Sequence, residues 1–186
     1  MKKILIFALI CATASLASCD KIKDATSRDF TVNNVKLDFT AITKDGSETQ
    51  AVMLRSGTVS SFSVTRTVDL SEMGSEEMME YASKISKVVV NASLVSITMT
   101  PSENYTISDL KISADGVPGS LVIPSYTIGD QFTAPSDMET YMAAFIMKLL
   151  STKSLSVTVS GQSDAPAETV VNIRYENDIV LTASAL

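Results

Sequence analysis

Residues 170–181 read VVNIRYENDIVL. Val171, Ile173, Tyr175, Ile179 and Leu181 share one phase of a two-residue period, and Asn177 alone interrupts it. That period puts the apolar side chains on one face of a pleated strand, with Glu176 and Asp178 on the other. A strand with one apolar and one polar face belongs to an antiparallel sheet packed on a core from one side.

The same alternation recurs outward along the chain. Val35, Leu37, Phe39 and Ala41 alternate with polar neighbours, Asp45-Gly46 marks a turn, and AVML follows at 51–54. In FSVTRTV, Phe62, Val64 and Val68 keep phase and Arg66 is the exception on their face. Residues 87–100, KVVVNASLVSITMT, are rich in β-branched side chains. YTISDLKIS (105–113) runs into Asp115-Gly116, SLVIPSYTI (120–128) follows, and Leu155, Val157 and Val159 alternate near the end. Turn residues between short strands predict antiparallel hairpins.

Two stretches follow the helical period instead. In SEEMMEYASKIS, residues 75–86, Met78, Tyr81, Ala82 and Ile85 fall at i, i+3, i+4 and i+7, with Glu76 and Glu77 in the first turn. In APSDMETYMAAFIMKLLSTK, Pro135 precedes Ser136 and Glu139 at capping-box spacing. Met138, Tyr141, Met142, Phe145 and Leu149 then form a stripe widened by Ile146 and Leu150, predicting a buried helix over 135–152. The two helices align at an offset of sixty residues, Met78 and Tyr81 on Met138 and Tyr141, so a duplicated strand–helix–strand unit competes with convergent amphipathicity as the explanation. The expected fold is α+β and β-rich: an antiparallel sheet or sandwich with two amphipathic helices packed on it.

The amino terminus carries different information. Met1-Lys2-Lys3 is basic, Ile4–Ala12 is an apolar run of nine, and small residues follow to Ser18. Such a segment is a secretory signal, too short to cross a bilayer as a helix. Leu16-Ala17-Ser18-Cys19 resembles the lipobox of bacterial lipoproteins, in which the cysteine becomes the lipid-modified amino terminus after cleavage. The resemblance implies a signal peptide over 1–18 and a lipidated Cys19; the polar, aperiodic residues after it predict a tether over 19–29, and length and hydrophobicity predict one globular domain over 30–186. Cys11 would leave with the signal, so Cys19 would be the lone thiol of the mature chain. The whole resembles small envelope lipoproteins of Bacteroidetes-type bacteria. It implies a lipid-anchored place in the cell envelope, with the outer membrane, on its periplasmic or surface face, favoured over the inner membrane.

Composition narrows the chemistry. The chain has no histidine, which removes the usual general base near neutral pH and the commonest transition-metal ligand. No glycine-rich phosphate loop and no G-x-S-x-G elbow is present. Ser108 and Lys111 match an S-x-x-K spacing, but in a strand-like run and without the companion motifs. The carboxylate pairs Glu76/Glu77, Asp137/Glu139 and Glu176/Asp178 read as solvated faces. We therefore expect no catalytic residues, no metal and no cofactor. Removal of 1–18 takes two of the 15 basic residues and none of the 21 acidic ones, leaving 13 against 21 and a net charge of −8. Nucleic acid is disfavoured as a partner. The expected function is a membrane-anchored, non-catalytic interaction or structural module, with an envelope protein as partner. The alternative is a binder of an apolar or glycan ligand beneath methionine-rich helices, faced by Met78, Tyr81, Met138, Tyr141, Met142 and Phe145.

Overall fold

A computed structural model describes residues 27–45, 59–73 and 76–184. The strands are β1 (Ser27–Ile42), β2 (Lys44–Asp45), β3 (Ser60–Asp69), β4 (Ile85–Thr100), β5 (Thr106–Ala114), β6 (Leu121–Thr127), β7 (Ser154–Ser163) and β8 (Val170–Ser184). The helices are α1 (Leu70–Met73), α2 (Glu76–Tyr81) and α3 (Met138–Thr152). The fold is a β-rich α+β antiparallel sandwich. One sheet has the order β1-β8-β4, the other β2-β3-β7-β5-β6, and every pairing is antiparallel.

The quoted stretch is the central strand of the smaller sheet. Val171, Ile173, Tyr175, Ile179 and Leu181 are all buried, as the alternation requires. Asn177 is buried with them at 3% exposure, and neither its amide nitrogen nor its oxygen has a hydrogen-bond partner in the protein. Both neighbours of β8 change register at this level, β1 between Val32 and Val35 and β4 between Asn91 and Leu94. In β1 the extra residue Asn34 adopts φ 56°, and its N–H donates to Asp178 Oδ1 at 3.0 Å. The two bulges keep each flanking strand in phase with the apolar face of β8 on both sides of the interruption.

The chain passes from one sheet to the other at Thr43, fully buried between β1 and β2. Its N–H donates to the Thr169 carbonyl at 2.9 Å, its hydroxyl donates to the Pro166 carbonyl at 2.7 Å, and that hydroxyl accepts from the Thr169 N–H at 2.9 Å. Beside it the Ser60 hydroxyl donates to the Ala165 carbonyl at 2.6 Å. These bonds satisfy the polar groups that are buried where Thr43, Ser60 and Thr169 meet, which would otherwise be costly to enclose.

Helix α3 lies along β4 and faces inward with Met138, Tyr141, Met142, Phe145, Ile146, Leu149 and Leu150, all buried. Tyr141, Met142 and Phe145 meet Leu37, Phe39 and Tyr175 of one sheet and Ile112 and Val157 of the other. The helix therefore fills the wedge between the sheets. Its start differs from the expected capping box: the N-cap is Asp137, without a side-chain cap, so Ser136 and Glu139 do not form the reciprocal pair. The Met138 N–H is taken instead by the Pro135 carbonyl at 3.1 Å. Lys153 closes the other end at φ 69°.

Other readings of the sequence change as well. The helix expected over 75–86 ends at Tyr81; Ala82 is buried in a turn and Ile85 opens β4, paired with Ala183. Ladder pairing of a β-branched run overrides a helical spacing only a few residues long. Of the two explanations for the helix alignment, convergent amphipathicity is favoured: β3 and β4, around α2, lie in different sheets, whereas β6 and β7, around α3, lie in one. Helix α1, with Leu70 and Met73 buried, was not legible in the pattern. The domain also starts earlier than residue 30, because Ser27, Arg28 and Asp29 already pair with Ser184, Ala183 and Thr182. The signal segment, Cys19, Gly46 and the AVML stretch lie outside the described residues.

Phe145 is 2% exposed at the centre of the wedge. Phe145→Ala should lower stability by about 3–5 kcal/mol, read as the shift in a thermal or urea transition. Asn177→Leu should act in the opposite direction. It replaces an unpaired buried amide with an apolar side chain of similar size, and chemical denaturation should show a gain of about 1–3 kcal/mol.

Candidate functional site

The six residues expected to face a ligand divide between core and rim. Met78 and Met138 are fully buried, and Met142, Phe145 and Tyr141 are 3%, 2% and 7% exposed. Tyr81 is partly buried against Phe30, ring centroids 6.1 Å apart. Tyr141, Met142 and Phe145 are brought together beneath α3, but the void they line is only about 10 Å³. A space of that size holds at most one water molecule. The Tyr141 hydroxyl is buried there without a hydrogen bond of good geometry. Burial pushes its pKa upward, tempered by the nearby Ala114 backbone. Met78, Met138 and Met142 thus act as core filling.

The outward face of the smaller sheet carries a ladder of directly opposed pairs. Lys36 Nζ lies 3.2 Å from Glu176, Arg174 donates twice to Asp38 at 2.6 and 3.1 Å, and the Thr40 hydroxyl donates to Asn172 at 2.8 Å. These partners share register positions on β1 and β8. The Arg174 hydrogen bond holds the Asp38 carboxyl below its ordinary range against a small opposing effect of burial, with Arg174, Arg66 and Lys36 adding favourable charge. An open cleft of about 390 Å³ runs over this face past Asp38, Arg174, Ser96 and Thr98. Its charged groups already satisfy one another.

Arg66, the exception in the β3 pattern, turns inward and then out at the sheet edge. Its guanidinium carbon stands 5.0 Å from the Phe39 ring centre, and Nη1 donates to Glu72 at 2.7 Å. That bond holds the Glu72 carboxyl low against the effect of burial, with help from the Asp69 N–H. An arginine set against a ring and paired with a carboxylate lets β3 carry a charge on its inner face.

The carboxylate pairs stay apart from any common centre. Glu176 is held by Lys36 and Asp178 by the Asn34 N–H, while Asp137 and Glu139 stand at the start of α3. Of the first pair only Glu76 has a described side chain, and it is exposed. Among the described residues no three His, Cys, Asp or Glu side chains gather as a metal would require. No helix among them is long and apolar enough to cross a membrane. Ser108 and Lys111 lie on β5, a strand and not a helix start.

Asp38→Asn should destabilise the fold slightly at neutral pH, by less than about tenfold in the folding equilibrium, since both partners are half exposed. A carboxylate with a lowered folded-state pKa contributes stability above its unfolded pKa and loses it as pH falls through the folded value. The difference between parent and variant should therefore vanish in acid, measured by urea midpoints from neutral pH downward. No known protein family, curated protein or solved structure matches this chain.

Proposed function

We propose that this chain is a lipid-anchored lipoprotein of the bacterial cell envelope, attached through Cys19, whose domain is a non-catalytic interaction or structural module. The observation that carries the proposal is the order of the first nineteen residues: basic start, apolar run of nine, small residues, then Leu16-Ala17-Ser18-Cys19. The thiol is the group that can carry a thioether-linked lipid, and no other cysteine follows it. The outer membrane is the favoured location.

The start of β1 supports a close attachment. Ser27 is already in the sheet, so seven residues, 20–26, separate it from Cys19. Seven residues reach at most about 25 Å. A domain so tethered works at the bilayer surface, where its two polar sheet faces are available to envelope partners. The alternative of an apolar ligand beneath α3 draws less support, because such a ligand would have to displace Phe145 and Met142 from the core.

In the native host, metabolic labelling with a fatty acid should mark the parent protein and leave Cys19→Ala unlabelled, unprocessed or released from the membrane fraction. Equal label on both would overturn the anchor.

A further inference from the structure

We infer that the outer face of the five-stranded sheet carries a binding cleft for an acidic oligosaccharide. The cleft has a volume of about 430 Å³, within the range of small-ligand sites. Its floor is the β3–β7 pair at Phe62 and Gly161, opposed in register, and a Cβ on Gly161 would meet the Phe62 ring at 2.6 Å. The ring packs against the glycine, so this floor is apolar and the side chains that stand around it are polar or charged.

Those groups arrive in register. Lys44, Ser61 and Gln162 stand side by side on β2, β3 and β7, and Ser63, Ser160 and Lys111 on β3, β7 and β5. Three strand spacings separate β2 from β5, roughly 14 Å. A register shift between Ser108 and Lys111 decides what β5 contributes. Asp109 adopts φ 53°, a conformation that a non-glycine residue rarely takes, while Leu110 turns fully inward. Asp109 and Lys111 consequently both line the cleft. Bulges and strained backbone of this kind re-aim side chains next to binding sites.

The smaller sheet offers the contrast. There the charges are spent on one another, whereas among the described residues none of the polar side chains lining this cleft makes a hydrogen bond or an ion pair within the protein. Two ammonium groups without a carboxylate partner favour an anion, and net negative charge elsewhere is screened beyond about 8 Å at physiological salt. A bare inorganic anion would face the Asp109 carboxylate. A ligand that presents hydroxyls to Asp109, the serines and Gln162, and a carboxylate to the lysines, satisfies every group. The polar side chains in register along the cleft favour hydroxyl and carboxylate partners over a lipid tail, and the scale of the site fits a short saccharide. This inference stands whether or not Cys19 carries lipid.

The test is calorimetry and amide NMR on the full chain in detergent, titrated with a uronic-acid trisaccharide, its neutral counterpart and sodium sulfate. We expect saturable binding of the acidic trisaccharide, with shifts at 61–63, 109–111 and 160–162. The neutral sugar should bind at least tenfold more weakly, and sulfate should not saturate. Lys111→Gln should weaken binding tenfold or more with an unchanged melting temperature, while Asp38→Asn on the other face should leave it intact. No saturation at about 1 mM, equal affinity in Lys111→Gln, or sulfate binding as well as the trisaccharide would each overturn the assignment.

Discussion

Strand β8 pairs along its length with both β1 and β4, and that double pairing is the constraint on which the smaller sheet rests. With a side-chain period of two, a slip of one residue on either side would turn Leu37, Phe39, Ile97 or Met99 toward water. The phase is therefore held by the whole apolar set at once. The one polar member of that set, Asn177, coincides with bulges in both neighbours, so the only level at which β8 lacks an apolar inward side chain is also where both ladders are interrupted. Away from it the β1–β8 pairing is continuous, and the β4–β8 pairing shifts once more, between Ile85 and Lys87.

The second organising feature is the way the sheets are joined. A sandwich needs its chain to change layers without leaving buried backbone unpaired. Here Thr43 supplies the turn, with its main chain and hydroxyl both bound to the β7–β8 connection, and Ser60, Ser163 and Thr169 complete the buried polar cluster. Elsewhere the space between the sheets is filled by α3, whose inward side chains touch both sheets. Hydroxyl hydrogen bonds thus hold the layer crossing, and apolar volume fills the wedge.

This division bears on function. The methionine-rich helix is consumed by packing, so binding capacity has to be sought on the sheet faces. One face carries charges neutralised in cross-strand pairs; the other carries uncommitted lysines, hydroxyls and an amide. Were the proposed anchor and cleft both present, a domain on so short a tether would meet its ligand in a fixed orientation. The carbohydrate reading and the anchor rest on separate residues and stand or fall separately.

Sequence alone determined the strands and the long helix, because periods of 2 and 3.6 are consequences of local backbone geometry imposed on an apolar–polar pattern. Leu37, Phe39, Val157, Ile173 and Phe145 were recognisable as core from spacing alone, and Arg66 and Asn177 stood out as exceptions. The resemblance of Leu16-Ala17-Ser18-Cys19 to a lipobox likewise lies in the linear sequence. Tertiary structure decided where Ile85 belongs, since only its pairing with Ala183 outweighs a helical spacing. It decided that α3 fills the space a ligand would have needed, a matter of volume between elements distant in the chain. It also decided the cleft: Ser108-Asp109-Leu110-Lys111 reads as a chance match in one dimension. The displaced phase of Leu110 against Ile107 was the only linear trace of the bulge that aims Asp109 and Lys111 beside Ser160 and Gln162, brought there by non-local strand pairing.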